Sequence, residues 1–500
     1  MTWPGQIAGR TDSLPHRQDR SFANERSARC GLRPGGISCP KRAPIIGSRA
    51  VAARFLRPSR VLAMHVMVTN NLYPPIVAGG AELIVSYLCE GLARRGHRVT
   101  VVSTCAPEME PYPSEIRNGV EIIRFFPRNL YWSFERGHDP GIKRWLWHAR
   151  DAWNWQAGAR LKTIFETARP NMLHTHAIDG ISAAIWAQAR RAGIHIVHTA
   201  HDYHLLCPHA FMPSADWDRC ARPSLACRLY RRWHLATTRH VDLFVSASRF
   251  LLDMHERAGL RVPKRMVVHN GIPQPLDADQ VRRARPLDSH TRFLMLSCLT
   301  AEKGVQTVLD AVAQLPRDLG IELVIAGKGP LESQIRAAAA SDPRITYPGS
   351  IEGEAKIDAL SRSGYLLLPS LRHEAVPVAL IEAAAYGLGA IASDIGGVPE
   401  FVEQNETGLL FPPGDAAALA AIMIRLAQDP DALPALESRS LALAHRFVVD
   451  RMVDDYEDLY VASLSRQPGF CPDESKIAIG SNGAFPSACS HAYSNIHEPG

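Results

Sequence analysis

The fold is indicated most clearly by residues 365–392, which read YLLLPSLRHEAVPVALIEAAAYGLGAIA. Tyr365–Leu368 and Ala390–Ala392 are apolar without polar alternation, which is typical of parallel strands that are buried on both faces. Between them lie a polar loop and a helix-compatible run rich in Ala and Leu. The stretch therefore predicts a βαβ unit, whose crossover in a parallel sheet is right-handed.

Apolar runs separated by helical patterns recur on both sides of this unit, with a break at Gly271, Pro273 and Pro275. Upstream of the break, strands are predicted at residues 61–69, Arg98–Thr104, Met172–Thr175, His195–Thr199, Leu243–Ser246 and Met266–Val268. Downstream, strands are predicted at Phe293–Ser297, Ile321–Ala326 and Ile345–Tyr347, ahead of the two runs quoted above. Two such series predict an α/β protein with two consecutive doubly wound domains.

The chain is too long for one ordinary core. We predict an N-terminal domain over residues 61–270, a C-terminal domain over residues 271–448 and a last helix over residues 449–464. Residues 1–60 and 466–500 are aperiodic and are predicted to be disordered. The first of these segments lacks the apolar region of a secretory signal, and Met64 is a plausible alternative start.

Charge and composition exclude several functional classes. The net charge is +6, but residues 1–60 alone hold twelve Lys and Arg against three Asp and Glu. The remainder is slightly acidic, which argues against nucleic-acid binding. No apolar run is long enough for a membrane span, although peripheral membrane contact stays open. The ten cysteines are scattered, which is typical of a reducing compartment.

In open parallel sheets, ligands bind at the carboxyl ends of the strands, so the loops there are candidate sites. Gly79 and Gly80 precede a helix, where paired glycines let the backbone approach an anion such as phosphate. His201 follows another strand and could bond to a sugar hydroxyl or to developing charge. The alternatives are an ordinary tight turn and a structural histidine.

The second domain offers a cation and two carboxylates. Lys303 follows the domain's first strand, and a fixed cation there offsets the charge of a leaving diphosphate. A merely solvated lysine is the alternative, but it is unfavourable beside the positive end of a helix dipole. Glu374 and Glu382 can accept hydrogen bonds from sugar and ribose hydroxyls, whereas a first-turn Glu also stabilises a helix.

These residues, in this order and on these elements, resemble the family 4 retaining glycosyltransferases of GT-B fold. In that fold, two Rossmann-like domains face each other across a cleft. The resemblance spans about residues 61–464 and is most specific from Glu374 to Gly414. Besides the glutamate pair, that stretch contains SDIGGVPE at 393–400, TGLL at 407–410 and PGD at 413–415. The loop at 71–82 and the turn AGKGP at 326–330 are also similar to the family.

The resemblance implies a role for each candidate. Glu374 would hold hydroxyls of the donor sugar, with His201 near the transferred sugar, and these two are the predicted catalytic residues. Lys303 would face the diphosphate and Glu382 would hold the ribose. The other predicted donor contacts are Gly79, Gly80, Lys328, Ala375, Val376, Pro377 and Val378.

The resemblance also implies the partners and the setting of the reaction. A nucleotide sugar would be the donor, and a glycan or a lipid-linked saccharide would be the acceptor. Metal and other cofactors are not expected, because protein groups replace a divalent ion at the diphosphate. The last helix would pack back on the first domain. A cytoplasmic enzyme of polysaccharide biosynthesis is implied, with contact at the inner face of the cell membrane left open.

Cys298 stands where the family usually has an arginine, and a thiol cannot replace a guanidinium. Either Lys303 acts with another cation, Lys328 or Arg372, or activity is weak. Lys328 occupies a position that is acidic in many relatives, so it is our candidate for compensation. Gly389 also replaces a common proline, with little expected consequence.

Two further features of the first domain leave alternatives open. Cys207, Cys220, Cys227 and His209 could bind zinc, but without a C-x2-C hairpin free or structural thiols are preferred. A set of tryptophans could stack on sugars, contact a membrane surface or pack a helix, and packing is preferred. That set is Trp132, Trp145, Trp147, Trp153 and Trp155.

Two other functions remain compatible with the sequence. A nucleotide-sugar epimerase shares the fold but would need acid and base groups around one sugar carbon. A catalytically weak sugar-nucleotide-binding or scaffold protein is the non-enzymatic alternative, favoured by Cys298. The donor base, the sugar and the acceptor do not follow from the fold.

Overall fold

The computed structural model describes residues 63–77, 79–110, 113–134, 142–208 and 223–465. The predictions for residues 1–60 and 466–500 therefore lie outside the described residues. Within these ranges the chain forms two sheets, each flanked by helices. None of the helices in the described ranges combines the length and apolar composition that crossing a bilayer requires.

The first sheet has eight strands in the order β3-β4-β2-β1-β5-β6-β7-β8. Only β3 is antiparallel to its neighbour, β4. The order reverses between β1 and β5, so loops that leave these two strands diverge and open a crevice. The strands are β1 His65–Thr69, β2 Arg98–Thr104, β3 Glu115–Arg117, β4 Val120–Phe125, β5 Met172–Thr175, β6 His195–Ala200, β7 Leu243–Ser246 and β8 Lys264–Val267.

The second sheet has six parallel strands in the order β11-β10-β9-β12-β13-β14. Its order reverses between β9 and β12, which creates a second crevice at the carboxyl ends of these strands. The strands are β9 Arg292–Leu296, β10 Glu322–Ala326, β11 Ile345–Gly349, β12 Tyr365–Leu368, β13 Gly389–Ser393 and β14 Gly408–Phe411.

The predicted strands are present, but β3, β4 and β14 were missed. Strand β4 reads VEIIRF, and its two charges hid it from a search for apolar runs. Arg124 is nevertheless buried, because it pairs with Glu115 of β3 and donates to the carbonyls of Tyr73 and Pro74. Its guanidinium therefore ties the edge of the sheet to the loop after β1.

The helices lie between the strands and after the second sheet. They are α1 Gly80–Arg94, α2 Ile142–Ala152, α3 Trp155–Ala168, α4 Ala184–Arg191, α5 Leu225–Thr237, α6 Arg249–Arg257, α7 Ala278–Ala284, α8 Val305–Gln314, α9 Glu332–Ser341, α10 Gly353–Arg362, α11 Val378–Ala385, α12 Ala416–Gln428, α13 Ala432–Ala444 and α14 Val449–Leu464.

Helix α14 lies on the first sheet although it follows the second. Its buried residues Val453, Tyr456 and Tyr460 join the apolar layer that helix α1 and the first sheet form. A further tie is the ion pair between Glu457 and Arg95, at 2.8 Å. The domain boundaries at 270 and 448 stay predictions.

The chain crosses between the two sheets in two places that lie side by side. The backbone N–H of Ile272 donates to the carbonyl of Phe447 at 2.7 Å, and Val449 N–H donates to Ile272 at 2.8 Å. The two crossings are thus hydrogen-bonded to each other.

Candidate active site

Lys303 and Glu374 meet where the strand order of the second sheet reverses. Nζ of Lys303 lies 2.6 Å from Oε1 of Glu374, and the hydroxyl of Ser370 donates to the same oxygen at 2.6 Å. The side chains are 18% and 10% exposed, respectively. The sequence prediction placed Lys303 and Glu374 in one site, and the structure brings these two together.

The Lys303 loop is held against the loop after β12 through backbone contacts. Gly304 has φ of 73°, and a Cβ there would lie 1.8 Å from the carbonyl oxygen of Pro369. Leu371 donates its N–H to the carbonyl of Glu302 at 2.8 Å. Because only glycine fits that approach, the Glu-Lys-Gly order fixes the ammonium beside Glu374.

The paired glycines of SDIGGVPE form the other wall of the Glu374 segment. A Cβ on Gly396 would lie 2.8 Å from both the N and O atoms of Glu374, and its φ is 63°. The N–H of Gly397 donates to the carbonyl of Glu374 at 2.8 Å. These glycines therefore let the loop after β13 lie directly on the backbone of Glu374.

Charge at this pair is balanced locally. Burial by itself would raise the pKa of Glu374, but the Lys303 ammonium and the Ser370 hydroxyl outweigh it and hold that pKa below its ordinary value. Arg372 adds a smaller lowering effect and lies 3.7 Å from Glu302. Glu374 is therefore ionised near neutral pH, beside two cations.

Glu382 does not join the Lys303–Glu374 pair. Both of its carboxylate oxygens lie 2.9 Å from Nζ of Lys356 on helix α10. A cavity of about 270 Å³ lies between this ion pair and the start of helix α1. Its lining includes Gly79, Gly80, Lys356, Val378 and Glu382.

Gly80 faces the start of helix α11 across the two domains. A Cβ on Gly80 would lie 3.7 Å from the side chain of Val378, so the two backbones approach closely. Gly80 is the first residue of α1 and Val378 the first of α11. The N-termini of helices α1 and α11 consequently border one cavity.

His201 lies at the carboxyl edge of the first sheet. Its Nε2 is 2.9 Å from Nδ1 of His176, and the two rings stack. Burial lowers the pKa of His201 to about 4, so the ring is neutral near neutral pH. Asp202 and Glu82 line a small cavity of about 80 Å³ with these two histidines.

Two contacts join this edge to the Glu374 segment, and the Glu400 carboxylate adds a third link between the domains. The Ser248 hydroxyl donates to the carbonyl of Ala375 at 2.6 Å, and Tyr203 donates to the carbonyl of His373 at 3.3 Å. From the other side, the Glu400 carboxylate accepts from the N–H groups at the start of helix α6. The segment 373–375 is therefore in contact with both domains.

Cys298 and Lys328 lie on touching loops. The N–H of Leu299 donates to the carbonyl of Lys328 at 2.9 Å. Both Cys298 and Lys328 are exposed, and within the described part of the chain Lys328 forms no ion pair. Val376 and Pro377 continue the segment from Glu374 to helix α11.

Sequence reasoning missed four residues that lie beside the predicted ones. Ser370, Lys356, His176 and Asp202 each contact or neighbour a predicted residue. His176 and Ser370 follow strands β5 and β12 closely, so the rule that selected His201 could have found them. Lys356 carries no such signal, because it lies within a helix.

The proposed zinc ligands are only partly described. Cys207 is buried and Cys227 is partly exposed, whereas His209 and Cys220 lie outside the described residues. Among the residues that can be assessed, no group of three or more His, Cys, Asp or Glu side chains is arranged for a metal ion.

Two family models match the chain, one over each domain, and several known proteins are similar to it. A family described as Glycosyltransferase Family 4 matches residues 78–274, and one described as Glycosyl transferases group 1 matches residues 290–429. Glycogen synthase of Mycobacterium tuberculosis is 28% identical over 77% of this chain and 91% of its own length. Alpha-D-kanosaminyltransferase of Streptomyces kanamyceticus is 28% identical over 70% of this chain and 91% of its own.

Solved structures show the same architecture. Sucrose-phosphate synthase of Thermosynechococcus elongatus superposes with a TM-score of 0.62 at 20% identity, over 81% of this chain and 100% of that one. Anabaena HepE, solved in complex with UDP, gives 0.57 at 17% identity, over 80% and 100%. Fold and site define a glycosyltransferase of GT-B fold, which confirms the predicted fold class. With both domains matched in order, the chain belongs to the glycosyltransferases of family 4 type.

Proposed function

We propose that the chain transfers a sugar from a nucleotide-diphosphate sugar to an acceptor hydroxyl, with retention of the anomeric configuration. The Lys303–Glu374 pair carries the proposal, because it sets a cation and a carboxylate at the crevice of the second sheet. A diphosphate leaving group gains negative charge as the sugar departs, so a fixed ammonium lowers the barrier. The carboxylate of Glu374 serves as acceptor for the sugar hydroxyls.

The donor's charged part fits the cavity between the two domains. Two helix N-termini border it, at Gly80 and Val378, and the positive ends of their dipoles favour an anion. Glu382 accepts hydrogen bonds from the ribose, and the contact with Lys356 orients that carboxylate. Protein cations take the place of a divalent ion, so we propose a reaction without a metal.

The acceptor approaches from the first domain. In the described structure, Nδ1 of His201 and Nε2 of His176 are buried without a hydrogen-bond partner. Together with Asp202 they offer polar atoms to hydroxyls of a glycan or a lipid-linked saccharide. Positioning and leaving-group electrostatics drive the transfer, and we propose no covalent intermediate.

Relatives support this assignment. Two of the relatives compared above are a glycogen synthase and a kanosaminyltransferase, and HepE was solved in complex with UDP. A structure of the pneumococcal O-GlcNAc transferase GtfA with UDP and GlcNAc superposes at a TM-score of 0.57 and 15% identity. We place the reaction in the cytoplasm, in polysaccharide assembly.

Ligand binding to the full chain tests the donor site. Uridine, guanosine, adenosine and thymidine diphosphates would each be added in EDTA while thermal unfolding is followed. A true donor nucleotide stabilises the fold by about 2.7 kcal/mol at a hundredfold excess over Kd. The matching nucleotide sugar would then be supplied with acceptor saccharides, and the anomeric configuration of the product read by NMR.

Two variants separate binding at the cavity from binding elsewhere. Glu382→Gln should weaken nucleotide binding roughly tenfold or more, since a hydrogen bond to a charged acceptor is lost. Glu354→Gln, two residues from Lys356 and exposed, is the matched control. Binding without any transfer across all sugars would instead favour the scaffold function, and no binding at all would overturn the proposal.

A further inference from the structure

Two helices of the first domain expose apolar side chains that the glycosyl-transfer site does not use. Trp145 is 49% exposed and Leu229 is 60% exposed. We call the set the aromatic–basic face. Its apolar members are Ile142, Trp145 and Leu146 on α2, Trp153 after it, and Leu225, Leu229 and Trp233 on α5.

The exposed apolar residues recur with the period of a helix, so they lie along one side of each helix. On α2 they recur three and four residues apart, and on α5 every four residues. The opposite sides of the helices are buried through Trp147 and Asp151 on α2 and through Leu235 on α5. Both helices are therefore anchored in the domain while one apolar stripe of each faces solvent. Of the five tryptophans named in the sequence analysis, Trp147 is buried, whereas Trp145, Trp153 and Trp155 are exposed.

The two stripes join into one surface. The rings of Trp153 and Trp233 meet edge to face with centroids 5.9 Å apart. The indole N–H of Trp233 donates to the carbonyl of Ala152 at 3.1 Å. Exposed patches of this kind on a folded protein mark sites of interaction.

The charged side chains that these two helices expose are all basic. Helix α5 carries Arg228, Arg231 and Arg232 and no acidic residue. Helix α2 carries Lys143, Arg144 and Arg150, and its single acid, Asp151, is buried and accepts from the N–H of Gly180. A second copy of the chain would set these positive charges against themselves in a symmetric contact.

We propose that the aromatic–basic face docks on a membrane surface that contains anionic lipids. Tryptophan and leucine enter the interface between headgroups and acyl chains, as on amphipathic helices that lie in the membrane plane. The arginines remain at the level of the lipid phosphates. Docking of this kind needs neither donor nor acceptor.

The docked face also supports the acceptor side of the site. Tyr230 of α5 donates to the carbonyl of His204 at 3.0 Å, and Arg231 donates to the carbonyl of Leu206 at 3.2 Å. His204 lines the cavity that holds His201. If the proposed function holds, a lipid-linked acceptor reaches that cavity from the membrane to which α5 is bound.

Vesicle flotation of the full chain tests the docking. Phosphatidylcholine vesicles with and without phosphatidylglycerol are the probes, and binding is expected only with phosphatidylglycerol and to weaken as salt rises. The double variant Arg228→Gln/Arg232→Gln should weaken binding about thirtyfold. Trp145→Ser/Leu229→Ser should weaken it as well, since apolar insertion is lost.

Matched controls lie on the second domain. Arg283→Gln/Arg425→Gln and Leu287→Ser remove exposed residues of the same kinds and should leave vesicle binding unchanged. Thermal shifts with donor nucleotide should stay the same in all variants, so failure of docking and failure of the proposed function are distinguishable. Equal binding to neutral vesicles, or a dimer that Trp145→Ser/Leu229→Ser dissociates, would overturn the docking proposal.

Discussion

Lys303 and Glu374 are 71 residues apart in sequence and form an ion pair at 2.6 Å. They reach it because β9 and β12, the strands that precede them, are neighbours in the second sheet. Both side chains are largely removed from water. Each therefore depends on the other for its charge to be tolerated.

Removal of the ammonium alone should be costly. Lys303→Ala leaves a buried carboxylate without its main partner, so we expect the free energy of unfolding to fall by about 3 kcal/mol. The double variant Lys303→Ala/Glu374→Ala should cost less than the sum of the single variants. Urea denaturation of the four proteins measures the coupling, and additive costs would show that the pair is not coupled.

Gly396 should be required for the position of Glu374. Gly396→Ala brings a Cβ to 2.8 Å from the Glu374 backbone, whereas at Gly414, with φ of 81°, the nearest neighbour is a leucine methyl at 3.6 Å. Both alanines carry backbone strain of about 1 kcal/mol. Only Gly396→Ala should also raise the KM for donor; equal KM values in the two variants would contradict the contact.

Asp202 should give the reaction a pH dependence near neutrality. Burial raises its pKa to about 7, and the nearby Asp179 and Glu82 add to the rise. The carboxylate is the stronger acceptor for a hydroxyl, so kcat/KM should increase as pH rises through about 7. Asp202→Asn should abolish that step, whereas Asp253→Asn, at a partly exposed position of helix α6, should keep it.

The same titration has the opposite sign for stability. Because the folded-state pKa of Asp202 lies above its unfolded value of 3.8, its stabilising effect is present at low pH and is lost as pH rises through about 7. Asp202→Asn should therefore gain stability relative to the parent above neutral pH. Denaturation at acid and alkaline pH checks the sign, and a constant difference would contradict the raised pKa.

Glu400 should hold the two domains in register. Its carboxylate accepts from Arg249 N–H at 2.8 Å and from Phe250 N–H at 2.5 Å, at the positive end of helix α6. Glu400→Gln should weaken this contact and increase the radius of gyration in small-angle scattering without donor. Glu403→Gln alters an exposed ion pair with Arg446 and should leave the radius unchanged.

Lys328 and Cys298 test how the missing arginine is replaced. If Lys328 supplies the second cation, Lys328→Ala weakens donor binding and Cys298→Arg in that background restores it. Isothermal titration with the donor nucleotide measures both steps. Unchanged affinity in Lys328→Ala would dismiss compensation by this lysine.

Sequence alone predicted the elements whose signal is local. Unbroken apolar runs predicted β1 and β12, and the position after a strand predicted Lys303 and His201. Strand β4 was missed, because the partners that make Arg124 tolerable inside are remote in sequence. A local sequence pattern cannot show that a buried charge is paired with residues far away in the sequence.

The pairing of charges was likewise beyond the sequence. The sequence assigned Lys303, Glu374 and Glu382 to one donor molecule but did not reveal Lys356, which binds Glu382 from helix α10. That helix offers no motif, and its approach depends on the packing of the whole second sheet. The face on α2 and α5 shows the same limit, because a periodic stripe does not reveal whether anything covers it.

Helix α14 gives the first domain a dependence on the order of synthesis. Val453, Tyr456 and Tyr460 complete an apolar layer begun by residues near 66–101, yet they leave the ribosome only after the second domain. Until helix α14 has been synthesised, that layer of the first domain is exposed to solvent or to a chaperone. A chain truncated after residue 448 would keep this unfinished state permanently, and we expect it to aggregate.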